Sequence, residues 1–262
     1  MFTLPKLYII TATFNSAKSV CRAIESINEQ VSVDLHHILI DGGSKDATVD
    51  IVRNKSNFLF SLVSEPDLGI YDALNKGIEL IPDGEVFGVL HSDDYFSNKN
   101  ICSLIMSIFN KNPNIDVIYG NLMYVKENGA IFRRWRSGSF ALSKLSQGWM
   151  PPHPAVFIRK NSKTAISYDL SYKISSDYDY VLKLFSDPNT NIFYLNEVIT
   201  MMQVGGVSNR NLTNIIIKTR EDYAVAKKYF TYPLIAVVCK NFRKLNQFMH
   251  FQRRIFNRQD SA

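Results

Sequence analysis

Over its first 120 residues the chain alternates short apolar, β-branched runs with segments of helical period, and this limits its possible folds more than any other feature. Leu7 to Ala12 reads as a buried strand, and Ser16 stands where it could cap a helix with apolar face Val20, Ile24 and Ile27. His37 to Ile40 is a second strand, followed by a helix through Val49 and Val52. Phe60 to Val63 is a third, followed by a helix carrying Leu74, Ile78 and Ile81. Val86 to Leu90 is a fourth, a helix bearing Ile101, Leu104, Ile105 and Ile108 comes next, and Asp116 to Tyr119 is a fifth strand. Strands that are apolar throughout, rather than at every second residue, are covered on both faces. The pattern therefore predicts an α/β fold with a mostly parallel sheet flanked by helices.

The remainder is less regular. A hairpin is expected around Glu127-Asn128-Gly129, a strand from Ala155 to Ile158, a helix from about Asp177 to Phe185, and a strand from Ile192 to Thr200. Helices follow Asn211. The expected organisation is one domain over residues 1–210, in two halves (1–120 and 121–210), then a basic amphipathic helical appendage over 211–262.

Charge and cysteine usage exclude several classes. The net charge is +6, but from Tyr223 onward there are eight Lys/Arg and one acid, Asp260, while the preceding 222 residues hold 22 basic and 23 acidic side chains. A nucleic-acid-binding core would carry its basic surface on the fold itself, so no nucleic-acid partner is expected. Cys21, Cys102 and Cys239 are far apart, which argues against a disulfide framework or zinc site. The N-terminal residues lack the features of a signal peptide, and no apolar run approaches the roughly 20 residues of a membrane span. A cytoplasmic protein is expected.

The polar residues collect at strand ends: Thr13-Phe14-Asn15, Asp41-Gly42-Gly43-Ser44, Glu65-Pro66-Asp67 and Ser92-Asp93-Asp94. In open parallel sheets, ligands bind beyond these carboxyl ends. Two adjacent carboxylates repel unless a cation lies near them, and Mn²⁺ or Mg²⁺ commonly uses one or two carboxylates plus substrate phosphates. Asp93-Asp94 is therefore a candidate metal and diphosphate site, the plain alternative being a turn that caps the next helix. Asp177, in the first turn of its helix, could take a proton from an acceptor hydroxyl; otherwise it is a carboxylate favoured there by the helix dipole. His153, between two prolines, is a candidate acceptor or phosphate contact or a structural histidine. Lys76 could meet a phosphate.

These stretches resemble the family-2 inverting glycosyltransferases with the GT-A fold, in particular the branch that builds bacterial surface polysaccharides (lipopolysaccharide O-antigen, exopolysaccharide). The resemblance rests on Ile9 to Asn15, Ile40 to Thr48, Ser64 to Ile78, His91 to Asp94, Pro152 to Ala155, Ser176 to Asp179 and Gly205 to Ser208, in the family's order. It implies inverting, metal-dependent transfer of a hexose or N-acetylhexosamine, with a UDP-sugar as the expected donor and a lipid-linked saccharide as the acceptor. Asp41 would contact the base and Asp93 the ribose or sugar-phosphate region, with Thr13, Asn15, Asp67, Asp72 and Lys76 completing the donor site. Asp94 would be the metal ligand and Asp177 the catalytic base. Many members carry Glu before that base; here it is Ser176, which leaves Asp179 as a substitute candidate. A nucleotidyltransferase would want a Gly-rich, basic loop after the first strand, and Thr13-Phe14-Asn15 is not one. A non-catalytic sugar-nucleotide or membrane-surface binding module is a further alternative.

From Lys240 to Arg258 a helical wheel collects Phe242, Leu245, Phe248, Met249, Ile255 and Phe256 on one side and Lys240, Arg243, Lys244, Arg254 and Arg258 on the other. Such a segment either lies in an anionic membrane interface, placing the protein peripherally on the inner face of the cytoplasmic membrane, or packs on the domain.

Overall fold

The computed structural model describes residues 4–204 and 212–243. The first half follows the expected alternation: β1 (Leu7–Thr13), α1 (Val20–Asn28), β2 (Leu35–Asp41), α2 (Thr48–Lys55), β3 (Leu59–Ser64), α3 (Ile70–Glu79) and β4 (Val86–Val89). There follow β5 (Tyr95–Phe96), α4 (Ile101–Lys111), β6 (Val117–Val125), β7 (Ile131–Trp135), α5 (Leu142–Leu145), β8 (Val156–Arg159), α6 (Ser176–Ser186), β9 (Ile192–Gln203) and α7 (Leu212–Tyr229). Residues 233–243 are helical again.

One mixed sheet, in the order β3-β2-β1-β4-β8-β6-β9-β5 with β7 added on β6, organises these elements. The pairs β1–β2, β1–β4 and β2–β3 are parallel, as expected. The other half departs from the simple expectation: β8 enters antiparallel between β4 and β6. Single-strand patterning reports how a strand is covered, not which strands it lies beside, so this insertion had no local signature.

The sheet carries apolar layers on both faces. Along β1 the side chains alternate: Tyr8, Ile10 and Ala12 join Leu74, Ile78, Tyr180 and Val181 on one face. Leu7 and Ile9 join Ala23, Ile27, Ile105 and Phe109 on the other. Helix α4 buries Ile101, Cys102, Ile105, Met106 and Phe109, so its inner face is rotated from the expected one and Leu104 is 40% exposed. Ser16 does not cap α1 with its side chain. Its carbonyl instead accepts the Ser19 and Val20 amides, which starts the helix later than expected.

The C-terminal appendage begins as part of the domain. Val225 of α7 belongs to the large core layer, and Tyr229 and Phe230 pack against it. Helix α6, lying between the sheet and α7, buries eight of its residues and so is covered on nearly every side.

Candidate active site

The loops after β1, β2 and β3 are knitted together by Asp41, which is fully buried. Its carboxylate accepts from Thr13 Oγ1 at 3.1 Å, the Gly43 and Ser44 amides at 3.1 and 2.9 Å, Ser64 Oγ at 2.7 Å, and the Ser44 hydroxyl. Burial alone would raise its pKa, but these hydrogen bonds stabilise the anion and hold it below the usual carboxylate range. Asn15, in the left-handed region (φ 49), accepts the Lys45 amide at 2.9 Å and gives its own amide to Ser44 Oγ at 2.8 Å. Gly43 (φ 82) turns the chain where a side chain would be strained, and at Gly42 a Cβ would meet the Asp67 carboxylate at 2.7 Å. Asp67 in turn accepts the Gly69 amide at 2.9 Å. Thr13, Asn15 and Asp41 thus form one hydrogen-bonded rim with the β2 loop, and the Asp67 carboxylate lies against it at Gly42.

Beside it, Asp72 accepts the Leu68 amide at 3.1 Å, and Lys76 is paired with Glu65 at 2.8 Å and Asp72 at 3.4 Å. Lys76 is therefore already balanced by two carboxylates, chiefly Glu65, which raise its pKa.

Asp93 and Asp94 leave β4 in a tight turn, with the Asp94 amide donating to the His91 carbonyl at 3.0 Å. Asp93 is half-buried and Asp94 fully buried. One Asp94 oxygen accepts the Gln203 amide at 3.3 Å from the end of β9; the other is sealed from solvent and has no hydrogen-bond partner among the described residues. Burial, and then the neighbouring charge of Asp93, push the Asp94 carboxyl well above its ordinary pKa. An orphaned buried carboxylate beside a second one suits a hard divalent cation. Among the described residues, no group of three or more His, Cys, Asp or Glu side chains could hold a metal alone. The remaining ligands would have to come from a diphosphate and water.

Asp177 lies half-buried in the first turn of α6, and among the described residues it has no ion-pair partner. Its charge acts on His91, His153, Tyr71, Tyr124 and Tyr168, and His91 also feels the charge of Asp93, so Asp177 and the Asp93-Asp94 turn lie within electrostatic reach of the same groups. Tyr124, on β6, is within electrostatic reach of both Asp94 and Asp177. The substitute candidate Asp179 does not fit: it is fully buried and neutralised by Lys183 at 2.8 Å and Lys228 at 3.3 Å.

Of the two readings of His153, ligand contact or structural histidine, its surroundings favour the second. It is 8% exposed, its Nε2 is hydrogen-bonded to Tyr168 Oη, and burial pushes it down to about 4, so it is neutral at pH 7. A neutral, enclosed imidazole cannot meet a phosphate as a cation. It instead supports His91, whose ring centroid is 6.2 Å away. His91 stands in the strand-end motif yet drew no assignment from it; burial lowers its pKa against the opposing charges of Asp93 and Asp177. Arg133, stacked on Tyr124 at 4.3 Å and Trp135 at 5.2 Å, also went unnoticed, because nothing local distinguishes it from other hairpin residues.

The segment that presents Asp177 is held from the C-terminal helices. Glu221 accepts the Lys173, Ile174 and Ser175 amides, each at 2.9 Å. Asp222 accepts Ser175 Oγ at 2.7 Å and pairs with Lys240 at 2.8 Å and Lys218 at 3.1 Å. Burial would raise Asp222, but Lys240, Lys218 and Ser175 bring it down to about 2.

This arrangement, a hydrogen-bonded rim at parallel strand ends, a carboxylate pair and a lone acid facing it, agrees with a match to the family model described as glycosyl transferase family 2, over residues 8–169. The chain belongs to glycosyl transferase family 2. A PGL/p-HBAD biosynthesis glycosyltransferase of Mycobacterium tuberculosis is 29% identical over 211 residues, covering 78% of this chain and 80% of that one. Among solved structures, S. aureus TarS 1-349 in complex with UDP-GlcNAc superposes with TM-score 0.65 at 19% identity, covering 88% of this chain and 66% of that one. A mannosyltransferase, PcManGT from Pyrobaculum calidifontis, in complex with GDP-Man and Mn2+, gives TM-score 0.62 at 13% identity, covering 90% and 69%. At these identities the likeness is one of fold, which is that of the GT-A glycosyltransferases. The chain spans 64% of the TarS 1-349 chain. The Gly205 to Ser208 stretch of the family resemblance lies outside the described residues.

Proposed function

We propose that this family-2 glycosyltransferase transfers a hexose or N-acetylhexosamine, with inversion, from a UDP-sugar to a saccharide acceptor, and that Asp177 is the general base. The observation that supports this is a first-turn carboxylate, Asp177, with no ion-pair partner among the described residues, whose charge reaches His91 together with that of Asp93 and Tyr124 together with that of Asp94. The acceptor hydroxyl attacks the anomeric carbon from the face opposite the nucleotide and gives its proton to Asp177. The bond to the diphosphate oxygen breaks, and the nucleoside diphosphate leaves. One base suffices for such a displacement, so no covalent nucleophile is required. The rim of Thr13, Asn15 and Asp41, with Asp67 against it, shapes the base and ribose pocket, Asp41 by ordering the loops around it, and Asp93 faces the sugar-phosphate. Asp94, through its unpartnered oxygen, would hold Mn²⁺ or Mg²⁺, which when bound would stabilise the charge of the departing diphosphate. The complexes of TarS with UDP-GlcNAc and of PcManGT with GDP-Man and Mn2+ support this choice of donor class and metal.

The test is Asp177→Asn. The variant should bind UDP-sugar with unchanged affinity by calorimetry and lose transfer by about 10³-fold, in the range seen for removal of a general base. Full activity would remove Asp177 from its role and leave it as the carboxylate that the helix dipole favours in a first turn. Proton NMR of the product should show the anomeric configuration inverted.

For the acceptor we infer a polyprenyl-diphosphate-linked intermediate of surface-polysaccharide synthesis, reached by peripheral contact with an anionic membrane. Among the described residues, no helix is long and apolar enough to cross a membrane. The helical residues 233–243 carry their apolar stripe outward: Leu234, Ile235, Val238 and Phe242 are 64, 56, 44 and 61% exposed. This reverses the expected wheel at its start, since Lys240 is 5% exposed and points inward; the residues from Lys244 to Arg258 lie outside the described ones. Replacing Leu234 and Val238 by Glu should abolish flotation with anionic vesicles while leaving transfer to a soluble acceptor intact. Equal flotation of the variant and the parent would sink the idea.

A further inference from the structure

Ser175 precedes α6 in the N-cap position but makes no side-chain cap to its own helix; its hydroxyl goes to Asp222 instead. The start of the helix that carries Asp177 is therefore set from outside, by groups far along the chain. Three successive amides, of Lys173, Ile174 and Ser175, converge on the single carboxylate of Glu221. Three charge-assisted hydrogen bonds to one rigid acceptor fix both the path and the rotation of a short backbone stretch. Tyr71 adds a fourth tie from α3, donating to the Ile174 carbonyl at 2.6 Å.

Next to Glu221, Asp222 draws in Lys240 from the helix 233–243, and both are almost fully buried. Burying an ammonium is costly unless it is paired and its environment complements it. Here Asp222 supplies the pair, and the Tyr178 ring lies under the ammonium at 3.4 Å from its centroid. Tyr178 is the residue after Asp177, so the cation fixes the side chain adjoining the proposed base. The helix 233–243 can come this close because Gly148 lies against it. A Cβ there would meet the Lys240 amide nitrogen at 2.3 Å, and its φ of +70 suits glycine.

We propose that Glu221, Asp222 and Lys240 are positioning residues for glycosyl transfer, holding residues 173–178 so that the Asp177 carboxylate meets the acceptor hydroxyl. This rests on Asp177 being the base. It gives the C-terminal helices a part in the reaction although none of these three side chains touches the reacting atoms.

The experiment compares Glu221→Gln, Lys240→Met and Gly148→Ala with the parent full-length chain and with Asp177→Asn, using UDP-sugar and a saccharide acceptor. Donor-binding stoichiometry and affinity are measured by calorimetry on each preparation, and kcat is expressed per donor-binding site. Each clamp variant should lose 10- to 100-fold in kcat per site, with donor affinity unchanged. Donor hydrolysis by water should fall less than transfer, because the acceptor-facing geometry is what is disturbed. Gly148→Ala, which displaces the helix but keeps every charged group, should behave like Lys240→Met. A purely structural role would instead lower the number of donor-binding sites and leave kcat per site at the parent value; that result overturns the proposal. If Lys240→Met is not recovered folded, Glu221→Gln decides by the same measure. Full activity of the clamp variants beside an inactive Asp177→Asn would overturn this inference alone, whereas an active Asp177→Asn would overturn the assignment of the base beneath it.

Discussion

The donor-side loops and the segment bearing Asp177 solve the same problem, holding a polar site rigid at the edge of a sheet, by opposite means. On the donor side the ties run between neighbouring strand ends: Asp41 reaches Thr13, Ser44 and Ser64, and Asn15 reaches Lys45. Among the described residues Asp41 has no cation partner, and its charge is spread over amides and hydroxyls of adjacent loops. On the acceptor side the chain before α6 is irregular, and it is fixed by carboxylates of α7 and by a buried lysine from residues 233–243. The donor side needs order that survives binding of a diphosphate. An arrangement of neutral donors around a buried anion adds no cation to compete for it. The acceptor side can use buried ion pairs because the proposed base, Asp177, is left outside those of the described residues.

Several measurements would break or sharpen this contrast. The largest effect is expected at the carboxylate turn. Asp94→Asn should reduce transfer by about 10²-fold or more and remove its dependence on Mn²⁺ or Mg²⁺, with little change in melting temperature. Equal metal activation of variant and parent would show that the cation is held elsewhere. Next comes the rim. Asp41→Ala strands the hydroxyls of Thr13, Ser44 and Ser64 and two amides, and should cost about 2–4 kcal/mol of stability in urea unfolding. A loss of donor affinity without a loss of stability would instead make Asp41 a direct ligand and blur the distinction.

The third effect is set by pH. Burial holds both His37 and His153 down to about 4, below the ordinary 6.5. The unfolded chain then binds more protons than the folded one between about pH 4 and 6.5. Stability should therefore be complete above about pH 6.5 and fall as pH drops through that window, by on the order of 3 kcal/mol per ring. Asp222, held at about 2, loses its contribution only below about pH 4. The surroundings of His37, which bonds Thr11 and Ser56, and of His153, which bonds Tyr168, should thus loosen before the Asp222 ion pairs do. Hydrogen exchange at pH 5 would read this order directly, and simultaneous opening of both regions would contradict it.

How far the site was legible follows the same divide. Thr13, Asp41, Asp67, Asp93 and Asp94 stand at the ends of strands whose apolar runs are local signals, so strand patterning alone placed them on one edge. Asp177 was legible as a first-turn acid, and the i,i+4 spacing of Asp179 and Lys183 was legible too, but the second partner of Asp179, Lys228, came only with α7 in place. His153 stayed an open choice between a ligand contact and a structural histidine because a sequence does not reveal enclosure, and enclosure is what discharges the ring.

The sequence by itself determined the alternating α/β plan, the two-sided burial of the strands and the edge on which the polar loops gather, because period and turn chemistry act over a few residues. Tertiary structure decided the antiparallel entry of β8 between β4 and β6, the neutral state of His153, and the turning of Lys240 inward onto Asp222 and Tyr178. Those outcomes depend on the dielectric and on partners supplied by distant chain segments, as Val86 is paired with Arg159, and no local pattern encodes either.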